Sequence, residues 1–78
     1  MLESQVQSKL IKKLESDGWY VVKLIRTNKN GIPDLVCFKG GEFKFVEVKR
    51  EGGVLSPLQK YRIKELTDKN FNVEVVYG

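Results

Sequence analysis

The stretch DLVCFKGGEFKFVEVK, residues 34–49, decides how this chain is read. Its segments DLVCFK (34–39) and EFKFVEVK (42–49) read as strands joined by Gly40-Gly41, a glycine pair suited to a two-residue hairpin turn. Pairing Lys39 with Glu42 across that turn sets the register: Phe38 meets Phe43, Val36 meets Phe45, and Asp34 meets Glu47. Side chains alternate between faces along a strand, so Asp34, Val36 and Phe38 share a face with Phe43, Phe45, Glu47 and Lys49. Directly opposed carboxylates repel and destabilise a strand pair. A chain that keeps two of them, with an ammonium two residues along, points to a site that holds a cation.

The flanking sequence supplies the other elements. Residues 3–17 read as a helix, with Leu2, Val6, Leu10 and Leu14 at i, i+4 spacing, Ile11 widening the stripe and Gly18 as the stop. WYVVKLI (19–25) reads as a strand and RTNKNGIP (26–33) as a polar loop, with Pro33 placed where it can open a strand. A second loop, Arg50 to Leu55, leads to Ser56 as N-cap and Pro57 at the first helical position, opening a helix to about Lys69 that Asn70 closes. FNVEVVY (71–77) is the last strand. The order is αβββαβ, an α/β fold with a small mixed sheet flanked by two helices.

Composition narrows the chemistry. The 78 residues suffice for one domain, near the lower limit for a self-sufficient core. A net charge of +4 favours a polyanionic partner. No apolar run approaches the ~20 residues needed to cross a bilayer, and there is no signal-peptide core. A lone cysteine allows no internal disulfide, which fits a reducing cytoplasm, that of a bacterial cell or a phage-infected host. Cys37 falls on the Leu35/Lys39 side of its strand, as a small core hydrophobe. The absence of histidine removes Ser–His triads and His-ligated zinc sites, so a bound metal would be held by oxygen: Mg²⁺, Mn²⁺ or Ca²⁺.

Polar residues also fall on the buried faces of both helices. Glu3 lies near the middle of the first apolar arc and Gln7 one turn on, whereas Lys9, Lys12 and Lys13 lie outside it or at its margin. In the second helix Gln59 and Arg62 lie inside the arc of Leu58, Ile63 and Leu66, with Tyr61 outside. Glu3, Asp34, Glu47, Lys49 and Gln59 are therefore expected to converge on one pocket.

These residues resemble the PD-(D/E)XK nuclease superfamily. Pro33-Asp34 supplies the PD and Glu47-Val48-Lys49 the ExK; GIPDL (31–35), FVEVK (45–49), Ser56 and Gln59 are most similar to its VRR-NUC branch. The resemblance runs nearly end to end, implying one nuclease module over residues 1–78 with the restriction-endonuclease-like αβββαβ core. It implies a divalent-metal-dependent DNA endonuclease using Mg²⁺ or Mn²⁺. Asp34 and Glu47 would be the main ligands, Glu3 a ligand directly or through water, and the Val48 carbonyl a further one. Lys49 would orient water or offset charge, and Gln59 would hold Lys49 or the phosphate. Arg26, Lys29, Arg50, Lys60 and Arg62 are candidate phosphate contacts, with Asn28 and Asn30 as neutral donors.

Stand-alone modules of this type resemble Holliday-junction resolvases, which implies a homodimer acting on branched DNA. Trp19, Tyr61, Phe71 and Tyr77 are candidate interface residues. The competing readings are a flap- or end-processing nuclease, an inactive nucleic-acid-binding module of the same fold, and an interaction domain without chemistry.

Overall fold

The computed structural model describes all 78 residues. Helix α1 spans Glu3–Ser16, strands β1, β2 and β3 span Tyr20–Lys23, Leu35–Lys39 and Glu42–Lys49, helix α2 spans Pro57–Asp68, and strand β4 spans Val73–Tyr77. The strands form one sheet in the order β1-β2-β3-β4, antiparallel except for the parallel β3–β4 pair. Parallel neighbours need a crossover, and α2 provides it. The expected αβββαβ order is the observed one.

The hairpin register is also as expected, from Lys39↔Glu42 through Phe38↔Phe43 and Val36↔Phe45 to Leu35↔Val46. Gly40 and Gly41 both have positive φ, +53° and +84°, as a tight hairpin turn with right-handed strand twist requires. Helix α1 stops one residue early, at Ser16, and three strands are shorter than the sequence suggests. β1 omits Trp19, Leu24 and Ile25; β2 starts after Asp34; β4 omits Phe71 and Asn72. β2 is cut short because Pro33 has no N–H to offer the ladder. α2 ends near its expected stop, where Asn70 adopts φ +67°.

The two sheet faces differ. On one, α1 packs its Val6 and Leu14 on Leu35, Cys37, Val46 and Val48, with Leu10, Ile11, Trp19, Val21 and Val76 around them. Cys37 is fully buried there, and burial pushes its thiol above the ordinary range. Trp19 closes the end of this core under Lys39 and Lys44, whose ammonium groups lie 5.7 and 4.6 Å from the ring centroid. On the other face, α2 packs mainly against β4 and buries no residue completely. An aromatic row of Phe38, Phe43, Phe45 and Phe71 stays partly open there, beside Tyr20 and Val22.

One close approach fixes α2 over the sheet. Gly31 has φ +77°, and a Cβ there would lie 2.7 Å from the Leu58 Cγ. Replacing Gly31 with Ala strains the backbone and forces Leu58 out of place. Gly31→Ala is expected to cost about 1–3 kcal/mol of stability, read as a lower midpoint in urea. An unchanged midpoint would show that the loop and α2 are not packed this way.

Candidate active site

Asp34 and Glu47 come together where β2 runs out. The last ladder pair is Leu35↔Val46, so Asp34 stands opposite Glu47 one step beyond it. With no further β2 backbone to receive it, the Val48 N–H donates to the Asp34 carboxylate, Oδ2, at 2.9 Å. The N–H and C=O of one strand residue point to the same edge, so the Val48 carbonyl also faces the Asp34 side. The Leu24 N–H donates to the Asp34 backbone carbonyl at 2.8 Å and closes the other flank.

Glu47 is the least expected feature energetically. It is 1% exposed, and Lys49 two residues on is 8% exposed. Its Oε1 accepts a 3.1 Å hydrogen bond from the Gln59 Nε2, while its Oε2 is buried with no donor. Burial, then the neighbouring Asp34 charge, hydrogen bonding with the Asp34 carboxyl and the more distant Glu3 push the Glu47 pKa up to about 7. The Lys49 charge pulls it down, but Lys49 forms no ion pair with either carboxylate. With both acids ionised Oε2 is orphaned; with Glu47 protonated the two carboxyls can share the proton.

The Gln59 amide is held in one orientation. Its Oε1 accepts the Ser56 backbone N–H at 2.8 Å, and the Gln59 backbone N–H donates to Ser56 Oγ at 3.1 Å, a reciprocal capping box at the start of α2. Because the carbonyl end is spent on Ser56, only the NH₂ end can face the sheet. It meets Glu47 and not Lys49, which differs from the role expected of it. The Ser-x-x-Gln spacing was the signal that could have fixed this orientation from sequence.

The remaining site candidates are placed less centrally. Glu3 is half-buried at the start of α1 and is felt by Glu47 through its charge. It does not complete a set of three acidic side chains close enough to hold a metal. Arg26, Lys29, Arg50 and Lys60 are exposed. Arg62 is half-buried and already engaged: its Nε donates to the Asn30 carbonyl at 2.8 Å and its Nη1 pairs with Glu65 at 3.1 Å. It braces the 26–33 loop against α2. The surface recesses, of about 380 and 260 Å³, do not include Asp34, Glu47 or Lys49. The acid pair is packed in rather than set in a cavity.

An αβββαβ sheet with an acid at the truncated end of β2, and an acid and a lysine alternating on β3, defines the PD-(D/E)XK class of nuclease folds. The VRR-NUC domain family model matches residues 2–78, and the chain belongs to that family. No curated protein and no solved structure matches it. No helix is long and apolar enough to cross a membrane.

The raised Glu47 pKa has a measurable consequence in metal-free protein. The folded state holds a proton between about pH 4.5 and 7 that the unfolded chain has released. Stability therefore falls as pH rises through that window, by up to about 3 kcal/mol. Glu47→Gln is expected to flatten the decline in denaturant melts run in EDTA. A decline of equal size in the variant would assign it to another group.

Proposed function

We propose that the chain is a divalent-metal-dependent DNA endonuclease whose centre is Asp34, Glu47 and Lys49. The observation that carries this reading is the buried, donorless Glu47 Oε2 facing a second carboxylate. Burying an ionised oxygen without a partner is costly, and a hard cation removes the cost. The donor set fits Mg²⁺ or Mn²⁺, which bind through one or two carboxylates and otherwise keep water or phosphate oxygens. Asp34, Glu47 and the Val48 carbonyl would hold the ion, with Glu3 reaching it through water.

When bound, the ion supplies the Lewis acidity that activates a water and offsets charge developing on the phosphate. The protein's own groups do the rest. Gln59 pins one Glu47 oxygen and leaves the other turned to the site. The Val48 N–H fixes the Asp34 carboxylate by spending one of its oxygens. Lys49 brings a positive charge to the scissile phosphate and orients the attacking water. Arg26, Lys29, Arg50 and Lys60 draw the nucleic acid in through its backbone without reading sequence.

Asp34→Asn and Glu47→Gln are each expected to lower Mn²⁺-dependent cleavage of labelled DNA by at least about a hundredfold. Lys49→Ala should do the same while retaining the Mn²⁺-induced rise in melting temperature. Cleavage by Asp34→Asn at the wild-type rate would remove this centre.

We further propose that two copies pair through the open aromatic face of the sheet. Tyr20 is 72% exposed, and Phe38, Phe43 and Phe71 are more than a third exposed on the side of the sheet that carries the acids. α2 leaves this half uncovered, and a symmetric partner presenting the same row would cover it. Both sites would then lie beside the interface, as paired cuts at a branch such as a four-way junction require. Of the expected interface residues Phe71 belongs to this row, whereas Trp19 is occupied by the core. Light scattering at micromolar concentration should give a dimer that Tyr20→Glu with Phe38→Glu dissociates. A monomeric wild type would end the proposal.

A further inference from the structure

The loop between β1 and β2 encloses an open recess of about 260 Å³, lined by residues that include Ile25, Arg26, Thr27, Lys29 and Asn30, with no acidic side chain on its wall. Its place beside the acid pair is fixed by contacts on both flanks. The Leu24 N–H bonds to the Asp34 carbonyl, and Gly31 lies against Leu58, the residue before Gln59. Arg62 holds the Asn30 carbonyl, and Thr27 Oγ1 bonds both the carbonyl and the N–H of Lys29, at 2.8 and 3.2 Å. The loop's shape is set before any ligand arrives.

The wall offers two kinds of contact. Arg26 and Lys29 are exposed and form no ion pair, and together they suit a phosphate. Ile25 is 86% exposed, more than any other large apolar residue in the chain. A single surface isoleucine needs no explanation by itself. This one lies on the wall of a cationic recess, directly beyond the Leu24–Asp34 contact. A base inside a duplex is covered on both faces by its neighbours. Ile25 therefore gains a partner only where stacking has been given up.

We infer that this recess receives an unpaired nucleotide next to the cut, with Arg26 and Lys29 on its phosphate and Ile25 against its base. The inference rests on the nuclease reading above and narrows the substrate to DNA with a flap, gap or branch point at the cutting position.

The test places 2-aminopurine at the unpaired position of a flap and at the matching position of a continuous duplex. Each is titrated in EDTA with wild type, Ile25→Ser, Arg26→Ser and, as a control on the outer face of α1, Lys9→Ser. Wild type and the control should bind the flap about tenfold more tightly than the duplex and change the probe's fluorescence. Ile25→Ser should lose most of the fluorescence change, and Arg26→Ser should lose affinity for the flap with a shallower salt dependence. Equal binding of flap and duplex by wild type overturns the inference. So does a flap preference that survives both substitutions. Cleavage in Mn²⁺ is scored in parallel: cutting without flap preference removes the recess and keeps the nuclease, whereas flap-selective binding without cutting does the reverse. Thermal melting of the variants checks their folding, and Arg26→Ser carries the test alone if Ile25→Ser unfolds.

Discussion

The repulsion between Asp34 and Glu47 organises this molecule. Two unit charges about 4 Å apart at an effective dielectric of about 20 repel by roughly 4 kcal/mol. That is comparable to the whole net stability of a small domain. Burial adds to the cost, because Glu47 has almost no solvent to share its charge with. The chain meets this with partial compensation: Gln59 satisfies one Glu47 oxygen, Val48 one Asp34 oxygen, and Lys49 adds a positive charge without closing an ion pair. What remains is one buried oxygen that only a proton or a cation can satisfy.

The two sheet faces divide stability from chemistry. All six residues of the buried apolar cluster lie in α1 or on the α1 side of β2 and β3. That face is closed, and neither Asp34 nor Glu47 lies on it. The other face carries Asp34, Glu47 and Lys49, an aromatic row left partly open, and a helix without a completely buried residue. Apart from the charge of Glu3, a change on the α1 side therefore reaches the acids through strand backbone. A change on the α2 side reaches them directly.

The fold was legible because its deciding signals are local. A Gly-Gly turn between alternating segments fixes the register of the hairpin, and register alone sets Asp34 against Glu47. Ser56-Pro57 and Asn70 mark the ends of α2 for equally local reasons. What sequence could not give depends on contacts far apart along the chain. The Gln59 amide was expected on Lys49 or a phosphate; the local Ser-x-x-Gln spacing turns its carbonyl end to Ser56, but the partner of its NH₂ end, Glu47, is set by the fold. Arg62 was expected at a phosphate as one of five basic candidates. Its actual partner, the Asn30 carbonyl, is 32 residues away on a loop without periodicity. Glu3 was placed on the right helix face, but periodicity measures angle and not reach. Its carboxylate does not form a three-acid cluster with the pair, although its charge reaches Glu47.

The weak packing of α2 follows from the same constraint. Leu58 touches Gly31, Gln59 bonds Glu47, and Arg62 bonds Asn30, so the first two turns are held largely by polar contacts to the acid pair and its neighbouring loop. Apolar burial contributes less here than on the α1 side, since no residue of α2 is completely buried and Leu58 itself is 42% exposed. The helix that orients Glu47 is thus anchored by Glu47. A charge change at the acid pair alters the strength of the Gln59 bond, because a hydrogen bond to an ionised carboxylate is about twice as strong as one to a neutral group. A cation that keeps Glu47 ionised therefore also tightens the start of α2, and with it the loop that Leu58 and Arg62 hold in place. Acid pair and scaffold share one set of bonds on this face, so that the start of α2 and the buried carboxylates hold one another in place without a second closed core.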